Sequence, residues 1–565
     1  MPSEMRDYKV IAAEKKAQQW EKIPKEWRIS AEKYQDETNV MDVSFTCGLL
    51  DEMELKITSD YDATALLEKL KARVWSVEQV TVSFCKRAAI AQQLTNCLTE
   101  IFFDDAIARA KELDLRYKDA FGGKGEARDL PPLFGLPISL KDSYQVRGYD
   151  TSTGLGCYVG EPAEENSALV DMLLDLGGVL YCKTNLPQSI MTGDSHNNIF
   201  GRTLNPRNKL LTAGGSTGGE GALLALRGSI LGVGTDIGGS IRVPSVCNRL
   251  YGFRPSVGLI PHGGVRDLTP PGTGVVRSTA GPMATSLRDC EMFLKVILEA
   301  EAWGYDSTAI AVPWAGVEAR KKLKIGVAMN DGMFSPTPPV RRGLKDVIDR
   351  LRGNDDVELT PVDLPDVKLH YQSLLGYLTL LGSDHYLEQF ARTNEPVIPS
   401  LEASGLLSVP GTTLQGFFDL NVRRADAAKQ YLKLLRDNDL DAILMPPAPH
   451  TAVPLDTWSS ITYTGLWNYL DYPAIVLPVD EVRDIDVVDD LNNAKFGSDD
   501  AKLYGLCRGS SFPYFLRARL TSTFVDTGPE QYKGAPVCVQ VVGYRHRDEA
   551  LLKVAAILDS TINKM

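Results

Sequence analysis

The sequence predicts an α/β protein with a mostly helical N-terminal region, and three observations carry that expectation. Helix-like runs alternate with short apolar runs: Ser167 to Leu176 is followed, after a glycine stop, by Gly177 to Lys183, and Glu220 to Arg227 by Ile230 to Val233. Alternation of this kind feeds strands into a central, mixed but largely parallel sheet covered by helices. Residues 1 to about 120 show helical rather than strand periodicity. The composition, 44% hydrophobic and 24% charged, is that of a chain able to bury a core. At 565 residues, length alone would suggest roughly three or four domains.

Each element has a local reason. Ser76-Val77-Glu78-Gln79 reads as a capping box, and Val80, Phe84 and Ala88 follow on one helical face. Ile101 to Tyr117 continues helically. The run GGKGEARDLPPLFGLP breaks the helical pattern from about residue 121. An apolar, strand-like run then delivers Lys141 at its end. Pro261 to Pro282 is a long Gly/Pro/Thr loop, of a length that is often functional. Ser286 caps the next helix, with Asp289 in its first turn. Leu323 to Val327 reads as strand and Pro339 to Leu351 as helix. Residues 366–436 are amphipathic and rich in Leu and Tyr. Asp441 to Pro446 and Ala474 to Pro478 are buried-strand runs stopped by proline. Asp484 to Asp500 reads as an acidic surface insertion, Val537 to Val542 as a last strand and Asp548 to Leu558 as a last helix.

Composition also excludes classes of function. A net charge of −12 argues against nucleic acid or an anionic membrane as main partner. Nine scattered cysteines without Cys-x-x-Cys, and six histidines without ligand spacing, predict no metal. Gly-x-x-x-x-Gly-Lys-Ser/Thr is absent, and Gly232 and Gly234 lack the third glycine of a dinucleotide site, so no organic cofactor is expected. The first twenty residues are charged and lack an apolar core, and no run of about 18 apolar residues occurs. Neither a secretory leader nor a membrane span is expected, and the cytoplasm is the default location.

The chemistry concentrates in Thr212 to Pro244, which holds Ser216 and Ser240, each flanked by glycines and 24 residues apart. A helix-like run and a strand-like run lie between them, so both serine loops can return to one end of a sheet. Glycine lets backbone N–H groups approach a ligand closely. A serine at such a loop could attack a carbonyl while those N–H groups hold the oxyanion. Lys141 supplies a possible base: a free lysine has a pKa near ~10.4, but burial disfavours the charged form. One Gly-Gly-Ser turn or one strand-end lysine is ordinarily structural; the combination is what points to nucleophilic catalysis.

Together these pieces resemble the amidase signature family, and within it fungal acetamidase-like general amidases. GGSTGGEGALLALRGSILGVGTDIGGSIRVPS, GLPISLKD and Asn197 to Pro206 carry the resemblance, supported by Gly281-Pro282-Met283 and Gly534-Ala535-Pro536. Thr217 stands where many members have serine. The N-terminal Trp20 to Pro24 and Glu26 to Ile29 match more loosely. The resemblance implies one large α/β catalytic domain over residues 121–565, with a helical insertion about 366–436 lining an acyl channel. Residues 1–120 would be a helical extension packed on it, with a homodimer surface as an alternative role. It further implies Ser240 as nucleophile, Ser216 as bridging serine after a cis Gly215–Ser216 bond, and Lys141 as base. Backbone N–H groups of Ile237, Gly238, Gly239 and Ser240 would form the oxyanion hole, and Met191, Thr192 and Gly193 would lie near the nucleophile. The implied reaction is hydrolysis of a small-molecule carboxamide to acid and ammonia or amine through an acyl-enzyme. A fatty-acyl amide hydrolase-type activity, and an ammonia-generating amidase subunit of a tRNA amidotransferase, are the alternatives. A non-catalytic scaffold would have no need of all three triad residues.

Overall fold

Among the described residues thirteen strands follow in chain order: β1 (Leu98–Ile101), β2 (Pro137–Lys141), β3 (Val179–Thr184), β4 (His196–Asn197), β5 (Gly201–Arg202), β6 (Leu231–Asp236), β7 (Tyr251–Arg254), β8 (Thr279–Ala284), β9 (Leu323–Val327), β10 (Val357–Pro361), β11 (Ala442–Met445), β12 (Ala474–Glu481) and β13 (Pro536–Val542). The structure, a computed structural model, describes residues 6–118, 130–268, 272, 274–487, 491–506 and 528–563. Strands β4 and β5 form a small hairpin; the others form one sheet of order β1-β3-β2-β6-β8-β7-β12-β13-β11-β9-β10. Parallel pairing lies in two blocks, β3-β2-β6 and β11-β9-β10. These are the segments where helix and strand alternate: Ala168–Asp175 leads into β3, Gly218–Ala225 into β6, and Pro338–Arg352 links β9 to β10. Antiparallel pairs through β8, β7, β12 and β13 join the two blocks, which makes the sheet mixed.

Helices cover the sheet, and one large core runs from Ile23 and Phe84 through Leu140, Val233, Phe293 and Val539 to Ile562. Local signals set the boundaries. Ser76 and Gln79 form the expected capping box of helix Val77–Thr95, and Ser286 caps Leu287–Glu299. The 366–436 region is helical, comprising Val367–Leu378, Asp384–Ala391, Pro399–Ala403 and Leu414–Asp437. The 120/121 boundary lies outside the described residues.

Several details differ from the sequence reading: β8 begins at Thr279, inside the expected 261–282 loop, and β12 runs on through Pro478 to Glu481. The helix expected from Ile101 begins at Phe103, because Leu98–Ile101 is a strand on the sheet edge. Asn96, left-handed at φ 54°, ends the preceding helix and turns the chain into that strand. The acidic run 484–500 is not wholly superficial. Asp486 is buried against Arg342 (2.6 Å), and Asp500 accepts from Ser335 N (2.8 Å) and Ser335 Oγ (2.8 Å). Paired carboxylates of this kind can be buried where lone ones are not. At the other end, Lys15 is buried between Glu100 (2.6 Å) and Asp150 (2.7 Å), tying helix Tyr8–Glu21 to the sheet edge.

Candidate active site

Strand β2 is buried along its whole length, so its last residue, Lys141, reaches the end of the sheet with no route to solvent. Its Nζ lies 2.7 Å from Ser216 Oγ and 2.9 Å from Thr235 Oγ1. Burial pulls its pKa down to about 7, against the opposing pull of Asp236 and Glu220. Glu220 is itself pushed up to about 8 by burial, while Ser139 Oγ (2.6 Å) and Thr184 Oγ1 (3.1 Å) donate to it. The lysine is therefore substantially neutral near pH 7 and can accept a proton.

Ser216 follows a cis Gly215–Ser216 peptide bond and opens helix Gly218–Ala225. The loop is packed too tightly for any side chain at Gly215: a Cβ there would lie 2.3 Å from Thr192 O. Ser195 Oγ ties the loop together, donating to Gly214 O (2.9 Å) and accepting from Gly218 N (2.9 Å). The structure thus closes the Lys141–Ser216 link. Among the described residues no hydrogen bond joins Ser216 Oγ to Ser240 Oγ, but both side chains line one small cavity.

Ser240 sits in the turn between β6 and helix Arg242–Asn248. Asp236, the last residue of β6, organises that turn. It accepts from Gly239 N (2.8 Å), Ile241 N (3.1 Å), Arg242 Nε (3.1 Å) and Asn468 Nδ2 (2.8 Å). Arg242 holds its carboxyl far below the usual range despite complete burial, so Asp236 remains ionised. Arg242 also reaches Asn468 Oδ1 (2.6 Å) and Gln540 Oε1 (3.4 Å). Gly239 has φ 136°, and a Cβ there would meet Thr464 Oγ1 at 2.3 Å, so the position accepts glycine alone. Of the four N–H groups expected in an oxyanion hole, that of Gly239 is committed to Asp236. Those of Ile237, Gly238 and Ser240 have no such internal acceptor.

Met191, Thr192 and Gly193 line a cavity of about 80 Å³ with Ser240, Gly238 and Gly239. Its outer wall is apolar and comes from the helical insertion and a later loop, through Tyr371, Leu375, Leu378, Leu406, Trp458 and Ile461. His196, beside the Asn197 motif, instead contacts Arg202 (3.0 Å). Asp194 draws that arginine together with Thr212 Oγ1 (2.9 Å) and Asp456 N (2.9 Å), bracing the loop behind Gly215. Sequence reasoning passed over Asp236 and Arg242, whose signal was present: an acid and a base six residues apart, inside the most glycine-rich string of the chain.

No cluster of metal-ligating side chains occurs among the described residues, and no described helix is long and apolar enough to cross a membrane. What the arrangement offers is a buried neutral amine hydrogen-bonded to one serine, a second serine at a glycine turn, and unsatisfied N–H groups beside it. That is equipment for attack on a carbonyl carbon.

The family model described as Amidase matches residues 79–552. The acetamidase of Emericella nidulans is 36% identical over 559 residues, covering 96% of each chain. The acetamidase of Aspergillus oryzae is 34% identical, covering 96% of this chain and 97% of that one. Among solved structures, a fatty acid amide hydrolase superposes with a TM-score of 0.86 at 29% identity, over 100% of this chain and 98% of the other. A bacterial aryl acylamidase of the amidase signature family (TM-score 0.66, 19% identity, 89% and 97% covered) shares the fold. With the family match spanning both serine loops, the lysine strand and every described strand of the sheet, the chain belongs to the amidase family.

Proposed function

We propose that the chain hydrolyses the C–N bond of small carboxamides, with Ser240 as nucleophile, Ser216 as proton bridge and Lys141 as base. The observation that carries this reading is the fully buried Lys141, its pKa lowered to about 7 and its Nζ 2.7 Å from Ser216 Oγ. Neutral Lys141 takes the proton of Ser216 as Ser216 takes that of Ser240. The freed Oγ attacks the carbonyl carbon, and the N–H groups of Ile237, Gly238 and Ser240 hold the oxyanion. One such donor is typically worth ~100- to 1,000-fold in rate. Ser216 returns a proton to the nitrogen, the C–N bond breaks, and water then releases the acid.

The acyl-side cavity supports a short aliphatic substrate. At about 80 Å³ it is smaller than the ~150 Å³ apolar cavity that admits benzene. The acetamidase relatives point the same way. The charge of −12 supports a small molecule rather than nucleic acid. The Lys15 ion pairs support residues 1–120 as an extension that braces the catalytic region. The test is intact-mass analysis after treatment with a fluorophosphonate, followed by ammonia release from acetamide and its longer homologues. A single adduct on the wild type and none on Ser240→Ala is expected; equal labelling of both removes Ser240 as nucleophile.

A further inference from the structure

Ser240 stands between two cavities. The larger, apolar one lies on the side of Gly238 and Gly239. The other, about 20 Å³, lies on the side of Ser216 and Thr235, and Ile190, Met191 and Ile237 form the partition, since all three line both. A cavity needs ~10–15 Å³ to admit one water, so the smaller chamber holds one water-sized molecule.

Its wall is largely apolar, but four polar atoms in it are unsatisfied. Ser143 Oγ, Ser189 Oγ and both ring nitrogens of His262 line this chamber or belong to residues that do, and all four atoms are buried without a partner in the protein. Four such atoms around one space mark a site for a small hydrogen-bonding guest, since buried polar groups otherwise find partners. The wall is also built against preference. Ser189 and Ile190 take φ 63° and 66°, a region that a β-branched isoleucine rarely enters. His262 is held from its backbone, with His262 N (2.7 Å) and Gly263 N (2.6 Å) both donating to Asp306. Burial keeps its imidazole neutral, with a pKa drawn down to about 4 despite Asp306. It can therefore donate from one nitrogen and accept at the other, but it is too weak a base to take a proton.

We propose that this chamber is the subsite for the leaving nitrogen and then for the hydrolytic water, with His262, Ser143 and Ser189 holding the occupant, and that it restricts the enzyme to primary carboxamides. The assignment rests on the reading of Ser240 as nucleophile. The proton for the departing nitrogen comes from Ser216, and the chamber is the space that Ser216 and Ser240 share. In acylation the Ser240 Oγ–carbon bond forms, the carbon–nitrogen bond breaks, and ammonia leaves with the proton relayed from Ser240. In deacylation the water oxygen bonds to the acyl carbon and the Ser240 ester bond breaks. The water's proton enters the Lys141–Ser216 relay, which reprotonates Ser240; His262 gains and loses none. A methyl on the nitrogen would need room that a one-water chamber does not have.

The test pairs two variants, a separate portion of each being treated with fluorophosphonate to check that Ser240 still labels. Wild type is expected to prefer acetamide over N-methylacetamide by at least 100-fold in kcat/KM, and Val265→Ala, which enlarges the wall, to narrow that preference at least tenfold. In His262→Leu, deacylation should slow at least tenfold, so that a Ser240 acyl-enzyme is visible by intact mass during turnover, with His262→Gln restoring much of the rate. An unmoved amide preference in Val265→Ala, or a His262→Leu variant that passes the labelling check yet deacylates at the wild-type rate, overturns the assignment. Absence of labelling in the wild type strikes the nucleophile reading instead. If His262→Leu alone fails to label, the amide preference of Val265→Ala decides.

Discussion

Acidification should switch this enzyme off through one side chain. Protonated Lys141 cannot take the proton of Ser216, so turnover by the proposed mechanism requires its neutral form. With a pKa of about 7, half of the lysine is neutral at pH 7, about one-tenth at pH 6 and about one-hundredth at pH 5. The neighbouring ionisable groups do not imitate this limb. His262 titrates near 4, Glu220 near 8, and Asp236 stays ionised throughout. Glu100 does titrate near 7, but it is bonded to Lys15 at the sheet edge, so Glu100→Gln serves as the control and should leave the limb in place. The assay is kcat/KM for acetamide from pH 5 to 9, run beside the rate of fluorophosphonate labelling, which needs the same base. Both should fall about tenfold per unit below pH 7. A flat profile to pH 5, or a limb displaced to the ~10.4 of free lysine, would refute a buried neutral base at position 141.

Three further outcomes follow from the surrounding structure. Gly239→Ala should lose at least 100-fold in kcat, because its Cβ would lie 2.3 Å from Thr464 Oγ1 and displace the neighbouring donors; ammonia release measures it. Arg242→Met strands the buried Asp236 carboxylate and should cost about 3–5 kcal/mol, read as a lower urea midpoint. Lys15→Met leaves Glu100 and Asp150 buried without their cation; the segment Tyr8–Glu21 should become susceptible to limited proteolysis, while Ser240 still labels.

What was legible in the sequence is what short stretches determine. Ser216 and Ser240 stand in one string whose glycines create the turns they occupy, and Lys141 ends a run apolar enough to be buried. The alternation of helix and strand around residues 167–183 and 220–233 announced the parallel pairing of β3, β2 and β6 for the same reason. The antiparallel middle of the sheet was not legible, since its pairings join strands far apart in the chain, such as β7 with β12. The same limit hid the walls of the site. Ser143, Ser189 and His262 come from three separate segments, and each alone resembles an ordinary polar residue. Asn468 and Gln540 matter only because folding brings them against Arg242. The strand Leu98–Ile101 was overlooked because its four residues follow a long helix, with a single left-handed asparagine as the break.

The contacts of Arg242 also bear on the order in which the protein becomes active during synthesis. The turn carrying Ser240 is pinned through Arg242 to Asn468 and to Gln540 on β13, almost 300 residues downstream. A nascent chain that has emerged only as far as its two serine loops and its lysine strand lacks the anchors that hold the turn of Ser240. That turn is held from both sides only once synthesis has passed Gln540.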